Sequence, residues 1–163
     1  MHKILLFLTL IIVLSSCKED KDKTLNDSTA YDISIENWPE KAKVKAKTSA
    51  ILKEWTEYTV LDKTFDGLYT VANTEDLSLV IEDLIEKQKL LAESTYPEPF
   101  DKPQIKSRQK VFHTFVLKTK GDLEYRIDPQ ISVKEMIEAY NAWGNQFEII
   151  TNNTLDIKKL LEE

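Results

Sequence analysis

Apolar residues recur every three or four positions along most of the chain after residue 38, which is the period of an amphipathic helix. The period is most regular near the carboxyl terminus, where Ser132-Val133-Lys134-Glu135 has the form of a capping box. The positions that follow this period are Val133, Met136, Tyr140, Trp143, Phe147, Ile150, Thr154, Ile157 and Leu161. The pattern predicts one helix there, about 45 Å long if it is continuous.

An earlier stripe with the same period predicts a first helix that opens at Trp38-Pro39, because proline is well tolerated in a first helical turn. Gly67 is expected to weaken this helix, so we expect a break or kink near Asp66-Gly67. The positions expected on its buried face are Val44, Ile51, Trp55 and Tyr58.

Two further stripes lie on either side of a proline-rich loop, residues 96–103. Asn73 or Thr74 can cap the second helix, and Pro103 is expected to start the third. A strand over residues 110–117 is an alternative for part of the third stripe. The expected buried positions are Leu77, Val80, Ile81, Leu84, Ile85, Gln88 and Leu91 in the second helix, and Ile105, Phe112, Val116, Leu123 and Ile127 in the third.

Four apolar helical stripes with short connections predict an all-α fold, and the arrangement we expect is an antiparallel up-and-down four-helix bundle. The chain has only 3 glycines and 5 prolines, which is too few turn formers for a many-stranded sheet. A three-helix core with one helix packed over its end is an alternative, as is an elongated coiled-coil dimer.

The first 17 residues have a different pattern, that of a secretory leader. Lys3 supplies a positive charge, and an apolar run from residue 4 to residue 14 follows it, interrupted by Thr9. This run is well short of the roughly 20 residues that a membrane-spanning helix needs. It ends at two small residues and the single cysteine of the chain, Cys17.

The sequence Leu14-Ser15-Ser16-Cys17 resembles the lipobox of bacterial lipoproteins. The resemblance implies cleavage before Cys17 and acylation of that residue, with each buried CH₂ contributing about 0.8 kcal/mol to anchoring. A plain secretory peptide with an incidental cysteine is the alternative. Lys18-Glu19-Asp20 resembles the export signal of surface lipoproteins in the Bacteroidota, which implies the outer membrane and possible exposure at the cell surface.

These patterns divide the chain into a signal peptide (1–16), a lipidated cysteine with a flexible tether (17–37) and a helical domain (38–163). Twenty flexible residues span about 25 Å, so the domain would stand clear of the lipid. The net charge of −6 opposes nucleic acid as a partner, since nucleic acid rewards basic patches. The lipid is the expected membrane contact, and an envelope protein is a candidate partner in addition.

Motifs that carry chemistry are missing from the sequence. It contains no Glu-x-x-His pair of the kind used by metal-carboxylate bundles, no glycine-rich phosphate loop and no Cys-x-x-Cys-His haem motif. Without the leader, His113 is the only histidine, and Cys17 would be acylated. We therefore expect no enzyme, no metal site and no cofactor.

Five residues are candidates for binding: Arg108, Tyr96, Phe100, Tyr140 and Asn141. Arg108 either lines a pocket, pairs with an acid inside the domain, or lays its stem on the core and its head in water. Tyr96 and Phe100 anchor a partner if they are exposed, and cover the end of the domain if they are packed. Tyr140 and Asn141 belong either to a small groove or, for the tyrosine, to the core.

The sequence favours a non-enzymatic, lipid-anchored extracytoplasmic protein that binds or scaffolds another envelope component, and it resembles small lipoproteins of the Bacteroidota predicted to be helical bundles. A periplasmic sensor that holds a small molecule is a second hypothesis. An immunity-like protein that neutralises a toxin at the membrane is a third.

Overall fold

The computed structural model describes residues 33–161, with side chains described through residue 152, and within these bounds the chain is helical and has no strand. The predicted all-α class is therefore confirmed. Cys17, the leader and the tether up to residue 32 lie outside the described residues. The helices are α1 (Ala46–Lys53), α2 (Thr56–Asp66), α3 (Thr74–Glu93), α4 (Pro103–Glu124) and α5 (Gln130–Leu161), with short 3₁₀ turns at Ile35–Asn37, Gly67–Thr70 and Glu98–Phe100.

The first helix does not open at Trp38-Pro39, so that prediction is wrong. Residues 38–45, which we call the strap, precede α1 without forming a helix. The amide N–H groups of Ala42 and Lys45 are bound by side chains of α5, through Asn141 Oδ1 at 2.8 Å and Glu148 Oε1 at 2.7 Å. Since these donors have distant partners, the segment does not need helical hydrogen bonds.

Three more hydrogen bonds fasten the strap. Asn141 Nδ2 donates to the Glu40 carbonyl at 2.9 Å, the Tyr69 hydroxyl donates to the Pro39 carbonyl at 2.7 Å, and the Trp38 indole donates to Gln130 Oε1 at 2.8 Å. Asn141 thus binds the strap on both its donor and its acceptor side. The strap joins the amino-terminal part of the described chain to α5.

The first predicted helix is also interrupted at Trp55, whose extended backbone (φ −95°, ψ 95°) separates α1 from α2. Its indole N–H donates to Ser94 Oγ at 2.9 Å, and its ring lies 4.6 Å from the ring of Tyr96. The side chain is buried under the loop that follows α3, so packing overrides the helical period at this position. The expected break near Gly67 is confirmed, because α2 ends at Asp66.

Helix α3 begins as its sequence predicts. Asn73 Oδ1 accepts the N–H of Asp76 at 2.8 Å, which satisfies one of the free donors of the first turn. Five of the seven expected positions are buried, namely Leu77, Ile81, Leu84, Gln88 and Leu91, while Val80 and Ile85 are partly buried against the core.

Helix α4 starts at Pro103 as predicted, and it remains helical through residues 110–117, so the strand alternative is wrong. It ends at Glu124, before the last expected core position, and Ile127 is exposed. Arg126 adopts a left-handed conformation (φ 56°), and the N–H of Ile127 donates to the Asp122 carbonyl at 2.7 Å. This is the usual closure of a helix carboxyl terminus, and it turns the chain toward α5.

Helix α5 begins at Gln130, two residues before the expected cap, so the predicted capping box is wrong. The Ser132 hydroxyl donates to the Pro129 carbonyl at 3.1 Å, and Glu135 forms an ion pair with Lys118. The backbone N–H of Gln130 is accepted by Asp128 Oδ1 at 3.0 Å instead. Its apolar period is confirmed through Ile150, since Val133, Met136, Tyr140, Trp143 and Phe147 are buried and Ile150 is partly buried. The side chains of the last expected positions, Thr154, Ile157 and Leu161, lie outside the described residues.

The core is dominated by aromatic rings from α2, α4 and α5. Phe65 stacks on Tyr140 with ring centroids 3.8 Å apart, and Phe112 lies 5.1 Å from Tyr140 and 6.1 Å from Trp143. Helix α4 packs along α5, and α3 packs against both α2 and α4. In the described part of the chain, no helix combines the length and the apolar character needed to cross a membrane.

Candidate functional site

A cavity of about 700 Å³ lies between the carboxyl-terminal half of α3 and the amino-terminal half of α4. The loop that joins the two helices contributes Tyr96 and Asp101 to its wall. Gln88 from α3 and Gln109 and His113 from α4 also line it. Its volume falls in the range of about 300–1,000 Å³ that is typical of small-molecule sites.

Gln88 is the most informative residue of this cavity. It lies one helical turn after Leu84 on the buried face of α3, and only 2 % of it is exposed to solvent. Neither Nε2 nor Oε1 of its amide has a hydrogen-bond partner among the described residues. Because a buried, unpartnered polar group costs about 1–3 kcal/mol, such groups are rare in folded proteins, and a water molecule or a polar ligand in the cavity would supply the missing partners.

Gln109 faces the same cavity from α4 and is 5 % exposed. Its Oε1 accepts the hydroxyl of Tyr96, so one side of this amide is already occupied. Burial raises the pKa of the Tyr96 phenol, with smaller opposing effects from Lys106 and Gln109. The phenol therefore stays protonated at neutral pH and acts as the donor in this pair.

His113 lies one helical turn after Gln109, which places both side chains on the same face of α4. Its Nδ1 is buried and has no hydrogen-bond partner in the described part of the chain. The inner wall of the cavity thus holds two side chains, Gln88 and His113, with unused hydrogen-bonding atoms.

The rim of the cavity is cationic. Lys89, Lys106 and Lys110 line it, against one carboxylate, Asp101, although the whole chain has a net charge of −6. Lys106 Nζ lies 2.6 Å from Asp101 Oδ1 and 4.9 Å from the centroid of the Tyr96 ring, so two contacts orient its ammonium group. Lys106 donates a hydrogen bond to Asp101, which raises the pKa of Lys106 and keeps its ammonium group charged.

A second cavity, of about 600 Å³, lies beside the strap. Several of its polar groups are paired with one another: the Tyr140 hydroxyl donates to Asp62 Oδ1, the Tyr58 and Tyr140 hydroxyls are 3.2 Å apart, and Lys41 Nζ lies 2.7 Å from both Asp62 and Asp66. Burial raises the pKa of both tyrosines. This network holds the strap on α2 and α5.

The five candidate residues from the sequence are not brought together. Tyr96 lines the first cavity, and Tyr140 and Asn141 line the second. Phe100 is fully buried with its ring 4.7 Å from that of Phe147, so it covers the end of the core and does not present a surface anchor. Arg108 is exposed and lies in a shallow depression on the other side of α4, near Gln146 of α5.

Sequence reasoning missed the site itself. It placed Gln88 correctly on the buried face of α3 but gave it no role, and it considered His113 only as a lone histidine without a metal site. The available signal was a glutamine inside an otherwise apolar stripe, because an amide in such a position needs a partner. Within the described side chains, residues 33–152, no group of three or more histidine, cysteine or acidic residues could hold a metal ion.

Comparison with known proteins adds no family to this geometry. No protein-family model matches the sequence, and neither a curated protein nor a solved structure gives a match to the chain. The function is therefore inferred from the residues of the cavity and from the leader.

Proposed function

We propose that the protein is a lipid-anchored, non-enzymatic binding protein of the cell envelope, and that its helical domain holds a small polar ligand between α3 and α4. The observation that carries this proposal is the amide of Gln88, which is buried, lines a cavity of about 700 Å³ and lacks a partner within the described residues. The cavity favours the small-molecule hypothesis over scaffolding or toxin neutralisation.

The arrangement that we propose for the domain is an antiparallel bundle of α2, α3, α4 and α5, with α1 and the strap laid against it. The connections between these four helices are short, and each helix packs against the next one along the chain. Short connections favour antiparallel neighbours. In such a bundle, ligand sites lie between facing helices, as this cavity does between α3 and α4.

The proposed anchor depends on Cys17. We expect the Cys17→Ser variant to lose its acyl chains and to move from the detergent phase to the aqueous phase in detergent partitioning of whole-cell extracts. Ser28→Ala, in the expected tether, leaves the lipobox intact, and we expect it to partition as the native chain does. Unchanged membrane retention of Cys17→Ser would contradict the lipid anchor.

The proposed ligand is expected to accompany the protein. Native mass spectrometry of the protein extracted from its own envelope in mild detergent should show one additional small mass, which is lost on denaturation and absent from Gln88→Leu. A protein that co-elutes in place of a small mass would favour scaffolding. If the native chain and Gln88→Leu both carry nothing, the binding proposal is wrong.

A further inference from the structure

We propose that the ligand of the cavity between α3 and α4 is a small organic anion that carries an amide edge, either a primary carboxamide or a cyclic amide. This inference rests on the proposed function, because it names the chemistry that the same site would select. Two separate features carry it, namely the free amide of Gln88 and the cationic rim.

The amide edge follows from the geometry of a glutamine side chain. Gln88 Nε2 is a donor and Gln88 Oε1 is an acceptor, and the two lie side by side on one planar group. A ligand satisfies both when it presents an acceptor and a donor on one edge, as a carboxamide, a lactam or an imide does. A trans peptide group points its N–H and C=O in opposite directions, and an ester or thioether lacks the donor.

The negative charge proposed for the ligand follows from the lysines that line the cavity. Three lysines and one carboxylate line the cavity, in a protein whose overall charge is −6. All three lysines are exposed, and Lys106 is in addition held in place by Asp101 and by the Tyr96 ring. An anion that enters the cavity meets positive charge at the mouth and the amide of Gln88 at the inner wall.

The test is isothermal titration of the full-length mature protein in detergent, after any co-purified ligand has been removed by dialysis. N-acetylglutamine carries both a carboxylate and a primary amide. N-acetylglutaminamide has no charge, and N-acetylmethionine replaces the side-chain amide with a thioether of similar length. Orotate carries a carboxylate and an amide edge on a ring, so its binding distinguishes a cyclic ligand from an open-chain one.

We expect N-acetylglutamine or orotate to bind at least 10-fold more tightly than the two probes that lack one feature. Gln88→Leu should abolish the preference for N-acetylglutamine over N-acetylmethionine, and Lys106→Met should reduce the preference for the anion over N-acetylglutaminamide. Gln104→Leu, an exposed substitution on α4, should bind as the native protein does.

The ligand class is overturned if N-acetylmethionine or N-acetylglutaminamide binds as tightly as N-acetylglutamine, or if neither N-acetylglutamine nor orotate binds. If native mass spectrometry still shows a small mass that depends on Gln88, only the proposed ligand class is wrong and the proposed binding function stands. When native mass spectrometry shows none, the binding function itself fails. The two failures are therefore distinguishable.

Discussion

Replacing Phe65 with alanine is expected to lower the free energy of unfolding by about 3–5 kcal/mol, the range found when a fully buried phenylalanine is truncated. Phe65 has no exposed surface, and its ring stacks on Tyr140 at 3.8 Å and meets the edges of Phe112 at 5.8 Å and Tyr69 at 6.4 Å. Truncation would leave a cavity between α2, α4 and α5. Urea unfolding followed by circular dichroism measures the loss.

The matched control is Val60→Ala on the same helix, where the residue is 41% exposed. Such a surface substitution should change the free energy of unfolding by less than about 0.5 kcal/mol. A loss below about 1 kcal/mol for Phe65→Ala would contradict the packing of the aromatic core around this ring.

Replacing Gln88 with leucine is expected to raise the free energy of unfolding of the ligand-free protein by about 1–3 kcal/mol. Leucine fills a similar volume, and it removes a buried amide that has no hydrogen-bond partner in the described part of the chain. Stabilisation by loss of a polar side chain is unusual, since most substitutions in a core destabilise. Urea unfolding of native and variant chains, both freed of ligand, gives the difference.

Gln109→Leu provides the contrast for Gln88→Leu. Gln109 is also buried and lines the same cavity, but its Oε1 accepts the Tyr96 hydroxyl. Its replacement removes an existing hydrogen bond and leaves the Tyr96 phenol unpaired, so we expect this variant to be less stable than the native protein. If Gln88→Leu is destabilised as well, the Gln88 amide is satisfied without a ligand, and the argument for the site fails.

The local sequence pattern predicted the helices correctly where burial in the core sets the spacing of the apolar residues. The alternation from Val133 to Phe147 and the Asn73 cap depend on residues three or four positions apart, and both are present in the structure. The predicted start of the first helix was wrong because the strap is held by side chains about 100 positions later in the chain, at Asn141 and Glu148. No local pattern contains that information.

The site was less predictable for the same reason. The spacing of the α3 stripe predicted that Gln88 is buried. Whether its amide has a partner depends on which residues α4 and the loop place opposite it. The bond between Tyr96 and Gln109 likewise depends on how the proline-rich loop folds back onto α4. The lipidation of Cys17 lies outside the described residues and stays a prediction.

The hydrogen bond from Trp38 to Gln130 fixes the end of the domain at which residue 38 lies. Gln130 opens α5, beside the carboxyl end of α4, whereas the cavity lies near the opposite end of α4. From Gln109 to Glu124 the helix rises about 22 Å, at 1.5 Å per residue. In a chain anchored through Cys17, the tether would therefore join the domain at the end of α4 away from the cavity.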